Sequence, residues 1–292
     1  MIEIFNWNCL DVLKLLEKKS VHTCITSPPY WGLRDYDHED QIGLEVTPER
    51  YIANIVAIFS EVRRILRDDG TIWLNLGDSY SGSGRGPEGN LNKGENFRNT
   101  GTKHKPYKNS KIKGKNLLGL PWRVALALQE DGWYLRQDII WHKPNPMPES
   151  VSDRCTRAHE YIFLLSKSNR YYFDNISIKE NTKNGRMRNK RSVWTVCTKG
   201  FKGAHFATFP TELIEPCIRA GSPVGGIVLD PFGGSGTTGY IAKKLKRDAI
   251  LIEINKNYVE IACERIFGKP QKEHNGVVLK LPVFLQSSTH YH

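Results

Sequence analysis

Residues Gly226–Leu245 read GIVLDPFGGSGTTGYIAKKL, and the reading of this stretch decides the fold. Gly226 to Leu229 is a short apolar run that predicts a strand, and Tyr240 to Leu245 predicts a helix. Between them, Asp230 to Gly239 forms a glycine-rich turn. Glycines let a backbone approach a ligand closely, and a helix N-terminus presents unpaired N–H donors. Gly234, Gly236 and Gly239 satisfy a GxGxxG spacing, which alone is weak evidence for a dinucleotide. Two acids turn the reading elsewhere. Asp230 stands at the strand end, where a carboxylate would repel a pyrophosphate but attract an ammonium. Glu253 closes the next apolar run, Ala249 to Ile254, where an acid can hold both hydroxyls of a ribose. Glycines between two such acids suit a nucleoside carrying a cationic amino acid, which describes S-adenosylmethionine.

The same rhythm extends outward. Ile2 to Phe5, Val21 to Thr26, Thr71 to Leu76, Tyr134 to Trp141 and Glu160 to Leu165 read as strands. Cys9 to Lys18, Pro121 to Glu130, Pro210 to Ala220 and Tyr258 to Phe267 read as helices. A further helix starts at Thr47-Pro48, a side-chain cap followed by proline at the first helical position, and Asp69-Gly70 stops it. Strands alternating with helices predict an α/β protein with a largely parallel sheet. Ligands of such sheets lie at the carboxyl ends of the strands.

The Val21–Thr26 strand delivers Ser27-Pro28-Pro29-Tyr30 to such an end. Two prolines stop both helix and ladder, because each lacks an N–H and fixes its φ. A rigid turn can preorganise hydrogen-bond acceptors. The Ser27 side chain and the Pro28 carbonyl are candidates to hold the two hydrogens of an exocyclic amine, turning its lone pair toward a methyl group. Tyr30 offers a face on which a base that has left its duplex can stack.

Bulk properties bound the partners. Of 292 residues, 39% are hydrophobic and 25% charged, the balance of a globular protein. No apolar run approaches the ~20 residues that span a bilayer, and the N-terminus lacks the pattern of a signal peptide, so the expectation is cytoplasmic with no membrane partner. Six cysteines without a CxxC pair argue against a zinc site or a disulfide framework, so no metal is expected. The net charge of +11 favours a polyanion. Two stretches hold most of the surplus. Ser81–Asn116 has nine Lys/Arg, two acids and seven glycines, and reads as a basic flexible loop. Lys179–Gly203 holds Arg186, Arg188, Lys190 and Arg191. Basic segments beside a folded core suit phosphate-backbone contact, with Arg85, Lys103 and Lys105 the candidates in the first stretch.

These motifs together resemble the DNA amino-methyltransferases, which modify N4 of cytosine or N6 of adenine. The family's catalytic motif is (Asp/Asn/Ser)-Pro-Pro-(Tyr/Phe/Trp), here Ser27–Tyr30, and its cofactor motif resembles DPFGGSGTT here. The catalytic motif comes first, as in the permuted β group. GTIWLNLGD (Gly70–Asp78), IIWHKPNPMPESVSDRCTRAHEYIFLLSK (Ile139–Lys167) and HFATFPTELIEPCI (His205–Ile218) extend the resemblance over most of residues 1–267.

The resemblance implies a seven-stranded, mostly parallel sheet with helices on both faces, binding S-adenosylmethionine. Residues 1–169 and 205–269 would form the catalytic and cofactor domain, 170–204 a target-recognition insert, and 270–292 a tail of unassigned role. By position, Asp230, Phe232, Gly233, Gly234, Ser235 and Gly236 would contact the cofactor, Glu253 its ribose, and Asn8, Cys9 and Thr26 would complete the site. Asn8 stands where relatives carry an aspartate. Ser-Pro-Pro-Tyr usually accompanies N4-cytosine, with N6-adenine the alternative. Double-stranded DNA is the expected partner, with a cognate restriction endonuclease alongside and a monomer or homodimer as the assembly. An RNA or protein-amide acceptor, a nicotinamide-dependent oxidoreductase and a catalytically silent DNA-binding module are the remoter readings. Methylation at C5 of cytosine needs a nucleophilic cysteine, whereas Cys217 falls within a predicted helix.

Overall fold

The computed structural model describes residues 1–36, 38–81, 112–198 and 209–268. Arg85, Lys103, Lys105, most of the 81–116 loop and the 270–292 tail lie outside these residues. In chain order the elements are β1 (Ile2–Phe5), α1 (Cys9–Leu15), β2 (Val21–Thr26), α2 (Pro48–Ile65), β3 (Leu66–Leu76) and α3 (Leu120–Glu130). There follow β4 (Tyr134–His142), β5 (His159–Ser166), β6 (Glu180–Asn181), β7 (Met187–Arg188) and β8 (Val193–Thr195). Last come α4 (Thr211–Gly221), β9 (Ile227–Asp230), α5 (Thr237–Lys244), β10 (Asp248–Ile252) and α6 (Lys256–Phe267).

The main sheet runs β1-β10-β9-β2-β3-β5-β4-β8. The strands from β1 to β3 pair in parallel, β5 runs antiparallel to both β3 and β4, and β8 is parallel to β4. The sheet is therefore mostly parallel, with eight strands rather than the expected seven. The additional strand is β8, whose Val193, Trp194 and Thr195 pair with Ile140, Trp141 and His142. Trp194 is 5% exposed and packs with Trp73 and Trp141. The segment expected as a recognition insert thus contributes one strand to the sheet, while β6 and β7 form a separate two-stranded ribbon.

Helices cover both faces, which is why the central strands read as continuous apolar runs. In β3, Ile72 and Leu74 face the layer built by Val12 and Leu13 of α1, Ile55, Phe59 and Val62 of α2 and Leu128 of α3. Trp73 faces the other layer, with Leu213, Cys217 and Ile218 of α4 and Ile241 of α5. At one edge α6 places Val259, Ala262 and Ile266 against Ile4 and Leu251.

Local signals set the helix boundaries. The Thr47 side chain accepts from Arg50 N at 3.2 Å with Pro48 opening α2, as the sequence predicts. The strand after it begins at Leu66, not Thr71. Val21 pairs with Leu66 and Thr23 with Thr71, so the intervening residues of β3 bulge out of register. Asp69-Gly70 therefore marks a bulge inside a strand.

The parallel strands β1, β2, β3, β9 and β10 end on one edge of the sheet. This edge collects Trp7, Ser27, Gly77, Pro231 and Glu253, all of which line one cavity of about 890 Å³.

Candidate active site

The glycine loop forms one wall of the cavity. Its shape depends on Gly236, which adopts φ 75° at the start of α5. A Cβ there would lie 2.8 Å from Ala262 Cβ, so α6 can pack against the loop only if this residue is glycine. Gly233 N donates to Ile252 O at 2.8 Å, and Gly236 N closes the turn onto Gly233 O at 2.9 Å. Arg265 fastens the outer side, donating to Ser235 Oγ at 3.1 Å and to Thr237 Oγ1 at 2.7 Å.

The two acids divide the work differently from the sequence reading. Asp230 is 1% exposed and is absent from the residues that line the cavity. Its Oδ1 accepts from Thr26 Oγ1 at 2.6 Å and Phe232 N at 3.1 Å, and its Oδ2 from Thr238 Oγ1 at 2.6 Å. Burial pushes its carboxyl up to about 6 against these donors. Asp230 thus ties the ends of β2 and β9 to the first turn of α5; its oxygens face protein donors rather than an ammonium. Thr26, expected at the cofactor, is likewise buried beneath the site and serves as a donor to Asp230.

Glu253 does line the cavity. Its Oε2 accepts from Gly234 N at 2.9 Å and its Oε1 from Asn255 N at 2.8 Å. Burial raises its carboxyl to about 7. Asn6 Nδ2 bridges Glu253 O and Ile254 O at 2.9 and 3.0 Å, locking the β10 end to β1. Asn8 caps α1 through Oδ1, which accepts from Leu10 N at 2.9 Å. Beside it, Cys9 is a neutral thiol, raised to about 12 by burial. Trp7, Tyr36, Phe232 and Tyr258 supply aromatic surface to the same region. A glycine loop that lets a ligand approach its backbone, a buried acid and apolar ring faces in a cavity of this size fit a nucleoside with an amino-acid arm.

Ser27, Pro28, Pro29 and Tyr30 line the facing wall. Tyr51 Oη donates to Pro29 O at 3.0 Å, so one proline carbonyl is held by α2. Tyr30 Oη donates to Glu160 Oε2 at 2.7 Å and lies 3.4 Å from Ser27 Oγ. Burial, then the Glu160 charge, hold the Tyr30 phenol well above its ordinary range, so it remains a donor. Glu160 also accepts from Asn75 Nδ2 at 3.2 Å and pairs with Lys143. The ammonium of Lys143 sits 4.3 Å above the Trp141 ring. Gly77 makes room for this packing, since a Cβ would stand 2.6 Å from Tyr30 Cε2.

Asn75, Gly77, Lys143 and Glu160 line the cavity but carry no role in the sequence reading. One signal was available. Asn75 interrupts an apolar strand and is 6% exposed, and a buried amide needs partners. Cys217 is 1% exposed, and burial raises its thiol, which disfavours a nucleophilic role. Among the described residues, no group of three or more His, Cys, Asp or Glu converges as a metal site, and no helix is long and apolar enough to cross a membrane.

Of the basic candidates within the described residues, Arg186 is exposed on the β6–β7 ribbon. Arg188 Nε and Arg191 Nε both donate to Glu180 Oε1, at 2.9 and 3.1 Å. Lys190 Nζ lies 4.8 Å from the Trp194 ring centre.

Comparison with known proteins converges on one group. Residues 21–264 match a family model described as DNA methylase. The type II methyltransferase M.Cfr9I of Citrobacter freundii is 50% identical over 273 residues, covering 91% of this chain and 88% of that relative. The type II methyltransferase M.SmaI of Serratia marcescens is 50% identical over 261 residues, covering 89% and 88%. Among solved structures, the cytosine-N4-specific PvuII DNA methyltransferase superposes with a TM-score of 0.68 at 19% identity, covering 91% of this chain and 86% of that one. The M1.HpyAVI–SAM complex gives 0.59 at 20% identity, covering 91% and 100%.

Proposed function

The chain belongs to the DNA methylase family of N4/N6 amino-methyltransferases, and on that premise we propose that it methylates the exocyclic N4 of cytosine in double-stranded DNA. The observation that carries the base assignment is the neutral Ser27 hydroxyl on the cavity wall, in a Ser-Pro-Pro-Tyr motif. The cytosine-N4-specific name of a protein with the same fold supports it. The type II names of the relatives support a restriction-modification setting, with a cognate endonuclease as partner. In that setting the enzyme is cytoplasmic and acts as a monomer or homodimer.

S-adenosylmethionine, held by Gly233–Gly236, Glu253 and the neighbouring rings, supplies an electrophilic methyl group. The chain's own work lies on the acceptor side. Ser27 Oγ and the Pro28 carbonyl accept the two amine hydrogens and orient the nitrogen lone pair. Tyr30 stacks the extruded base, its ring fixed by Glu160 and by the space over Gly77. Lys143 pairs with one oxygen of Glu160 while the other oxygen accepts from Tyr30. The arrangement is preorganised, which is where such a site gains rate. The basic residues of the β6–β7 ribbon and of the 81–116 loop contact the phosphate backbone.

The test is transfer of labelled methyl to duplex DNA followed by nucleoside analysis, with modified bases mapped in DNA from expressing cells. N4-methylcytosine is the expected product. N6-methyladenine as the sole product overturns the base assignment and leaves the family intact.

A further inference from the structure

Between β4 and β5 the chain reads Lys143-Pro144-Asn145-Pro146-Met147-Pro148-Glu149. Prolines flank Met147 on both sides, and two sets of hydrogen bonds pin the loop. On one side Asn145 and Thr198 exchange bonds: Asn145 Nδ2 to Thr198 O at 3.1 Å, Thr198 N to Asn145 Oδ1 at 2.9 Å and Thr198 Oγ1 to Asn145 O at 3.2 Å. On the other, Glu149 Oε2 accepts from Arg154 Nη1 at 2.6 Å and from Arg157 N at 3.1 Å. Lys143 N closes the base of the loop onto Ala158 O at 2.7 Å. Between these anchors Met147 is 79% exposed, yet it lines the mouth of the cavity.

Single exposed apolar residues are ordinary. This one combines an apolar side chain, a stiff support and a position at the entrance through which a base would pass. Arg154 Nη1 and Arg157 N both bond Glu149, just beyond Met147 in the loop, and the two guanidinium groups lie 4.0 and 5.1 Å from the Tyr80 ring centre. A base leaving a duplex opens a gap in the stack, and apolar side chains including Met fill such gaps. A braced loop loses little further freedom on insertion.

We propose that Met147 is the wedge that enters the duplex and occupies the place vacated by the target base. This rests on the methyltransferase reading above and adds to it the residue that stabilises the extruded state. Unstacking costs a few kcal/mol per step. A wedge therefore matters when the target is paired, and little when it is already unpaired.

The experiment compares the full-length enzyme with Met147→Ala and Met147→Leu. The substrates are two duplexes bearing the mapped site, one with the target base paired and one with it opposite an abasic position. The expected result for Met147→Ala is a kcat/KM loss of about tenfold on the paired duplex and under about twofold on the unpaired one, with Met147→Leu near wild type on both. Equal losses on both duplexes would make Met147 a plain docking contact and overturn the proposal, as would full activity of Met147→Ala on the paired duplex. If wild-type enzyme methylates neither duplex, the methyltransferase reading itself falls.

Discussion

The hydroxyl of Tyr30 donates to the Glu160 carboxylate at 2.7 Å, joining residues 130 positions apart in the chain. β3 and β5 run antiparallel as neighbours, and this pairing brings the start of β5 to the turn that follows β2. This wall of the cavity is therefore a product of sheet order, and the orientation of its ring is set by a carboxylate on a different strand.

Separating the ring from its tether is the direct test of that arrangement. Tyr30→Ala removes the stacking face, worth about 1–3 kcal/mol per base at aromatic sites, and should lower single-turnover methylation by ten- to a hundredfold. Tyr30→Phe keeps the face and loses the bond to a charged acceptor, so a smaller loss of about tenfold is expected. Glu160→Gln should match Tyr30→Phe, because both loosen the ring without removing it. Loss in Tyr30→Phe equal to that in Tyr30→Ala would show that the hydroxyl, not the face, carries the function.

Gly77 makes the same point through space. A Cβ at this position meets Tyr30 Cε2 at 2.6 Å and Glu160 Cδ at 3.2 Å. Gly77→Ala should displace the ring and reduce methylation by at least about tenfold, while cofactor affinity, measured by calorimetry, stays within about twofold of wild type. Weakened cofactor binding on the same scale as the lost activity would place the effect elsewhere.

Local chemistry decided what the sequence could reveal. The glycine loop, the acid ending the next strand and the double-proline turn are each written in adjacent residues, so pattern alone brings them to one cavity. Thr47-Pro48 marks a helix start for the same reason. The remainder is tertiary. Strand β8 is three residues that follow Lys190 and Arg191 and shows no periodicity; only Trp194, buried against Trp141, gives it a place. The β3 bulge looks like a helix stop because Asp and Gly signal both. Asp230 reads as a ligand contact until Thr26, from the neighbouring strand, and Thr238 are seen to engage its oxygens. Lys143 and Glu160 gain meaning only when β4 and β5 meet.

Asp230 also leaves a signature in stability. Its folded-state pKa, about 6, lies above the ordinary aspartate value. The folded state then holds a proton that the unfolded state releases, so this group's contribution is full at low pH and lost as pH rises through 6. Between pH 5 and 8 the loss amounts to about 1.4 kcal/mol. Asn at this position can still accept from Phe232 N and donate to a threonine hydroxyl. Asp230→Asn should therefore gain stability relative to wild type by about that amount over the same interval, read from urea unfolding at each pH. A relative loss with rising pH would contradict the raised pKa.

Glu253 links pH to the cofactor instead. Its carboxyl, raised to about 7, lines the cavity while accepting from Gly234 N and Asn255 N. Only the ionised form has, beyond those two amide bonds, a lone pair on each oxygen free for the ribose hydroxyls, so binding favours proton release. The ionised fraction rises about tenfold between pH 6 and 8, and S-adenosylmethionine affinity should strengthen by that factor. Glu253→Gln should bind more weakly at pH 8 and show a flatter profile, since its amide does not titrate. The α-amino group of the ligand titrates near the same range, which makes the comparison of the two profiles, rather than the wild-type curve alone, the deciding measurement. Parallel profiles for wild type and Glu253→Gln would remove Glu253 from the pH dependence and from the ribose contact assigned to it.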